Sequence, residues 1–367
     1  MPAVARREDK VLLILTLVLV LVGVMMIYSA SNVIAIKKFG EGSYFLVKQL
    51  IWVTIGMSML WLASRVHYRH LQRAVIPLTI LSLILLGVVL IPSIGQEING
   101  ARRWLRVGSI VFQPSEFAKL SLIIYLAHYL TKGPEKVQGF VYGLLPVLAI
   151  TGLGVLLILV EPDLGTAVTL ALVVVSLLFI GGARPRHLMI LGLSALPVLA
   201  YLILGTEYRR QRWLTYLDPW RDPSDAGFQI IQSFLAFGSG GEFGVGLGEG
   251  RQKLFFLPYP HTDFIFSVIG EELGLVGTLS ILFCFVLLVW RGLKLATRVE
   301  DPFGQFLAAG ITLMIGLATL INLAVVTGLL PTKGLPLPFV SYGGSSLVAN
   351  LVGVGILLSI SRHREVP

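Results

Sequence analysis

Residues 261–274 read HTDFIFSVIGEELG. His261 and Asp263 open the stretch, Glu271 and Glu272 lie inside it, and Leu275 to Trp290 follows without a charge. A carboxylate at the edge of an apolar run is costly unless it faces protein, water or a substrate. Partial desolvation raises its pKa towards the range in which it can serve as a general base. Thr262 is a plausible N-cap for a helix starting here, which frees Asp263 from that job. The bland alternative is Asp263 as the acid that meets the positive helix end. Asp263, Ser267 and Glu271 recur every four residues and so share one helix face, with Glu271 ~12 Å further along the axis. We read Asp263 as the reactive acid, Thr262, Ser267 and Glu271 as its support, and Glu272 as unassigned. GEELG also has GxxxG spacing, which lets another backbone approach closely.

Four other stretches collect polar residues. NGARRWLRVGSIVFQPSEFAKL, 99–120, sets Arg102, Arg103 and Arg106 before a helix start at Pro114. Glu116 and Lys119 are three apart and share a face. They form either a self-neutralising pair or an anion site facing a polar cavity. In VEPDLGTA, 160–167, Asp163 can cap the following helix while Pro162 and Gly165 shape the turn. Glu161 has no capping job, which makes it the better functional candidate.

The third stretch, 205–265, is too polar and glycine-rich to span a membrane. It carries Arg212, a run QIIQSFLAF with Gln232 and Ser233 that fits a short interfacial helix, and FGSGGEFGVGLGEG, with seven glycines in fourteen residues. Such backbone can turn its N–H groups onto an anion, or serve as a flexible lid. No GK[ST] follows, so it is not a Walker A loop, and a membrane domain offers no strand–helix setting for a dinucleotide fingerprint. The fourth, GLLPTKGLPLPFVSYGGSSL at 328–347, carries Lys333 and Ser341 on backbone broken by proline and glycine. At membrane depth that argues for a groove.

The elements that must position these residues are membrane helices. Of 367 residues, 55% are hydrophobic and 13% charged, with mean hydropathy +0.84; an ordinary soluble domain has about 25% charged residues. Apolar runs long enough to cross a bilayer lie at 11–30, 45–63, 75–92, 116–131, 140–160, 165–181, 187–204, 266–289, 305–328 and 341–360. The expected fold is an all-α polytopic membrane protein. It is one domain over 1–367, with ten transmembrane helices and a large extracytoplasmic loop, about 205–265, between the seventh and eighth. The short gap after the fifth run could hide one bent hairpin. Arg6, Arg7 and Lys10 precede the first run, which is too long for a signal-peptide core. Short loops on the side of the termini hold 15 Lys and Arg, those on the other side 7. Both termini are therefore expected in the cytoplasm and the polar stretches outside. The net charge of +9 largely follows from this bias and gives no argument for nucleic acid. Cys284, the one cysteine, has no partner for an internal disulfide.

GARRW, QPSEFAKL, EPDLGTA, DPWRDPSDAGFQIIQS, AFGSGG, HTDFIFSVIGEELG and LPTKGLPLPFVSYGGSSL occur in this order over nearly the whole chain. Together they resemble the shape, elongation, division and sporulation (SEDS) family of peptidoglycan polymerases, whose branches are FtsW and RodA. PTKG at 331–334 and GFQIIQS look like the FtsW, division-type branch or its sporulation relative, and less like RodA. The resemblance implies ten helices in the cytoplasmic (inner) membrane and polymerisation of lipid II into β-1,4 glycan strands, with release of undecaprenyl pyrophosphate. It implies Asp263 as the catalytic acid, Glu116 and Lys119 as cavity residues, and a class B penicillin-binding protein transpeptidase among its division partners. It also implies a site on the extracytoplasmic face that meets lipid II and the nascent strand.

In that reaction Asp263 would take the proton of the attacking hydroxyl, while Arg102, Arg103, Lys119 or Arg212 would hold the departing pyrophosphate. Glu161, Gln232, Ser233, His261, Lys333 and Ser341 complete the candidate substrate-binding set. A divalent cation, Mg or Mn, could share this work with Asp263 or Glu116 as ligands. A lipid II flippase, an elongation- or spore-type polymerase, and a non-catalytic scaffold are the competing readings. A flippase would want polar groups along its whole path, and a scaffold would not need Asp263.

Overall fold

The computed structural model describes residues 9–98, 100–108, 110–205, 207–223, 227–254, 257–258 and 260–363. Arg6 and Arg7, weighed above as part of a leader, lie outside them, as do 224–226 of the long loop.

A helix stands at each of the ten apolar runs. They are α1 (Lys10–Phe39), α2 (Tyr44–Arg65), α4 (Val75–Val89), α5 (Pro114–Leu130), α7 (Leu145–Val160), α8 (Leu164–Ile180), α9 (Pro185–Leu204), α12 (Ile265–Ala296), α13 (Pro302–Val326) and α14 (Gly344–His363). Among the described residues, six helical segments are long and apolar enough to cross a membrane, and α4 and α8 are shorter apolar helices. Ile76, Met189, Leu193 and Phe283 are more than half exposed, an apolar outer surface that suits lipid rather than water. Short helices α3 (Arg69–Arg73) and α6 (Pro134–Gln138) lie in the connections, and a π turn at Phe140–Leu144 leads into α7. The glycine at 143 admits the Lys136 carbonyl where a Cβ would collide with it. α7 and α8 are separate helices joined at 161–163, not one bent hairpin.

Two helices of the long loop are α10 (Glu207–Leu217) and α11 (Phe228–Gly240). α11 packs Ile230, Ile231, Ser233 and Ala236 inward, against α12, so the QIIQSFLAF run is docked rather than lying free. The centre of the molecule is α5, buried around most of its surface, with α13 and α14 beside it.

Two features depart from the sequence reading. The all-α expectation misses a three-stranded antiparallel sheet, β1 (Gly95–Ile98), β2 (Ala101–Val107) and β3 (Ile110–Phe112). Gly100 and Gly108 take positive φ at its two turns, as tight hairpins require. The asparagine–glycine pair at 99–100 was the signal for it.

The second departure is in α12. Its helix breaks at Gly274, where φ is 66° and ψ −163°. Loop backbone fills the break. Val245 N–H donates to Glu271 O at 3.0 Å and Gly246 N–H to Glu272 O at 3.1 Å, while Leu275 and Val276 N–H donate to Gly241 O and Glu242 O at 2.9 and 3.0 Å. A Cβ at Gly274 would strike Gly244 N, and one at Gly240 the Gly270 carbonyl. The GxxxG spacing thus serves close backbone contact, with the loop as partner.

Candidate functional site

Asp263 stands in the turn before α12, half-buried. Thr262 is not the cap of that helix: the cap position is Phe264, with no side-chain capping bond. The turn is held from outside instead. Asn322 of α13 donates to the Asp263 carbonyl at 2.9 Å and to the Leu335 carbonyl at 2.7 Å. Because Asp263 precedes the helix, it does not continue the face of Ser267 and Glu271.

The 331–335 segment closes over the acid. A Cβ at Gly334 would lie 3.1 Å from Asp263 Oδ2. Arg212 donates to Thr332 O at 3.1 Å, which brings its charge to the same place. Burial pushes the Asp263 carboxyl up to about 6; Arg212 opposes this, Asp163 adds to it and Arg103 opposes it. These groups therefore share one electrostatic field. No described residue donates a hydrogen bond to the Asp263 carboxylate.

The turn between α7 and α8 supplies the other wall. Asp163 caps α8, accepting from Thr166 N at 3.1 Å and Thr166 Oγ1 at 2.9 Å. It also accepts from Gln113 Nε2 at 3.1 Å and lies 3.9 Å from Arg103. Arg103 Nε donates to the Glu161 carbonyl at 3.1 Å, and its Nη2 to Pro162 O. The Glu161 side chain is fully buried and neither oxygen has a partner among the described residues. Burial first, then Asp163, push it up to about 8 against the pull of Arg103. The Glu161 carboxyl thus holds its proton more tightly than an ordinary carboxylate.

Glu116 and Lys119 pair at 2.9 Å, both buried, with Glu116 Oε2 left over. They sit just inside Gln113 on α5, whose backbone N–H donates to Ser345 Oγ at 2.9 Å.

The remaining candidates divide. Lys333 is half-buried on the segment over Asp263, and burial lowers its pKa. His261 packs between Phe45 and Tyr342, with ring centroids at 4.6 and 5.6 Å. Burial and then Lys38 push it down to about 4, so it is neutral at physiological pH. Ser341 accepts from Leu337 N at 2.8 Å and shapes its own turn. Gln232 is half-buried on α11. Ser233 is fully buried, 2.6 Å from Ser267 Oγ and donating to Val326 O. Ser233 and Ser267 therefore tie α11, α12 and α13 together. Arg102 is drawn aside to Glu97 at 3.0 Å on the sheet.

Glu271 stands with Glu272, away from Asp263. Glu271 accepts from Arg251 N at 2.7 Å and Gln252 N at 3.1 Å. Glu272 pairs with Lys253 at 2.6 Å and accepts from Ser29 Oγ at 2.7 Å and Gly248 N at 3.1 Å. In the glycine-rich stretch the Gly248 N–H turns onto a carboxylate, and those of Arg251 and Gln252 do so just after it. These carboxylates are the protein's own pair of glutamates, and the backbone at 241–246 is bonded to α12. Gln113, Lys253 and Asn322 escaped the sequence reading. Only Asn322 carried a signal, an amide inside an apolar run.

Residues 9–366 match the family model described as "Cell cycle protein" for FtsW, RodA and SpoVE. The chain is 50% identical to the probable peptidoglycan glycosyltransferase FtsW of Geobacter sulfurreducens, over 97% of this chain and 95% of that one. It is 44% identical to stage V sporulation protein E of Bacillus subtilis, over 97% of both. Among solved structures it resembles a chain of a peptidoglycan synthase complex that coordinates polymerization and crosslinking (TM-score 0.79, 34% identity, 97% of this chain and 98% of that). The rod shape determining protein RodA of Thermus thermophilus is also similar (TM-score 0.73, 32% identity, 97% of each).

Proposed function

The chain belongs to the FtsW, RodA and SpoVE family of cell cycle proteins, and on that premise we propose that it is a peptidoglycan glycosyltransferase of cell division that polymerises lipid II at Asp263. The observation that carries this reading is a half-buried carboxylate that no described residue hydrogen-bonds, with Arg212 and Arg103 in its field. Buried carboxylates are ordinarily satisfied. One left open beside two cations suits a reaction that removes a proton and releases an anion.

The 4-hydroxyl of the acceptor sugar attacks the anomeric carbon of the donor. A new C–O bond forms, the bond to the lipid pyrophosphate breaks, and Asp263 takes the hydroxyl proton. Its raised pKa suits it to hold that proton. Arg212 and Arg103 offset the charge of the leaving pyrophosphate. Lys333 lies on the segment over the acid and adds a third cation.

The ten helices cross the membrane with both termini in the cytoplasm and Asp263 on the extracytoplasmic face. A class B penicillin-binding protein transpeptidase would cross-link the product. Among the described residues no three His, Cys, Asp or Glu side chains converge as a metal site; Glu116 Oε1 pairs with Lys119 while its Oε2 has no partner there. A Mg or Mn ion would be held by Asp263 or Glu116 and would offset the charge of the leaving diphosphate; no step above depends on it.

The test is polymerisation of lipid II by purified Asp263→Asn protein. Folded protein without glycan product is expected; strands made at near wild-type rate would sink the assignment.

A further inference from the structure

Asn322 lies in the last two turns of α13 and is 1% exposed. Its two amide hydrogens go to two different loops, one to the carbonyl of Asp263 and one to that of Leu335, at 2.9 and 2.7 Å. Neither loop belongs to a helix or strand at these residues. Reversing the amide would set its oxygen against both carbonyls, so this orientation is the only one that avoids repulsion. Asn322 Oδ1 has no partner among the described residues. A buried amide with an unsatisfied oxygen is disfavoured in a core built for stability alone.

We propose that Asn322 is a positioning residue of the site, fixing where the Asp263 carboxylate stands against the Gly334–Leu335 segment. The inference rests on the reading of Asp263 as the base. Gly334 shows how little room there is: a Cβ there would come within 3.1 Å of Asp263 Oδ2. With both carbonyls gripped by one rigid side chain, the acid and the lysine-bearing segment move together or not at all. A displacement of about 1 Å at a reacting group can cost on the order of 100-fold in rate.

The experiment compares kcat and KM for lipid II in the purified full chain and its Asn322→Leu and Asn322→Ser variants, with Asp263→Asn alongside. Leucine keeps the volume and loses both donors; serine keeps one. We expect kcat to fall roughly 10- to 100-fold in Asn322→Leu and less in Asn322→Ser, with KM within about threefold of wild type. Wild-type kcat in folded Asn322→Leu overturns the proposal. Should that variant not fold, wild-type kcat in Asn322→Ser overturns it equally. An active Asp263→Asn protein would mean that the base assignment has failed. An inactive Asp263→Asn beside fully active Asn322 variants would mean that only the positioning role has failed.

Discussion

The two ends of the 261–274 stretch bury acids in opposite ways. At the C-terminal end, Glu271 and Glu272 receive the N–H groups of Gly248, Arg251 and Gln252, the Ser29 hydroxyl and the Lys253 ammonium. At the N-terminal end, Asp263 is held by its backbone while its carboxylate accepts no hydrogen bond from any described residue. Carboxylates eight and nine positions apart thus divide into satisfied and open ones. What separates them is whether the oxygens are already satisfied. Glu161 belongs with the open class: its carboxyl is buried and unpartnered, beside the already bonded Asp163.

This contrast can be broken by mutation. The largest effect is expected for Asp263→Asn: a loss of polymerisation on the order of a thousandfold or more with unchanged thermal stability. In the wild type the rate should fall as pH drops through about 6, because only the ionised form accepts a proton. Lys253→Met should do the reverse. It leaves Glu272 charged and buried, costing on the order of 3–5 kcal/mol of stability, read as a drop in Tm in detergent, while kcat per folded molecule stays close to wild type. Equal losses of kcat in both variants would erase the distinction.

Lys119 tests an intermediate case. Lys119→Met should lower turnover roughly tenfold if its charge serves the reaction, and by clearly more than charge removal at Arg65 or Arg73. Equal effects would leave Lys119 a purely structural partner of Glu116.

The smallest effect is the pH dependence of stability at Glu161. Its pKa is raised from 4.5 to about 8. Between those values the folded protein holds a proton that the unfolded chain releases. This contribution is therefore full below pH 4.5 and lost as pH rises through about 8. Glu161→Gln should flatten the fall in Tm between pH 6 and 8 by a few degrees; an unaltered slope would show that the carboxyl is ionised in the fold.

Much of this was legible in the sequence. A helix stands at each apolar run, six of the helical segments being long and apolar enough to cross a membrane among the described residues, Pro114 begins α5, Asp163 caps α8, and Glu116 meets Lys119 at helical spacing. Local chemistry decides these features, so local sequence reveals them. The misses are long-range. Thr262 had the right type for a cap, but Asn322, 60 positions away, grips the backbone beside it. Glu271 had the right spacing to join Asp263, but a loop twenty residues upstream captured it. Arg102 and Arg103 are neighbours in sequence, yet a strand sends alternate side chains to opposite faces. Only Arg103 reaches the turn at 161–163.

The break at Gly274 also bears on motion. Four backbone groups of α12 are completed by residues 241–246, so that loop cannot lift without leaving them unpaired. In hydrogen exchange the amides of Val245 and Gly246 should be as slow as those of the helix they complete. The segment richest in glycine is thus fixed to the helix it completes, and the glycines there serve close backbone contact rather than motion.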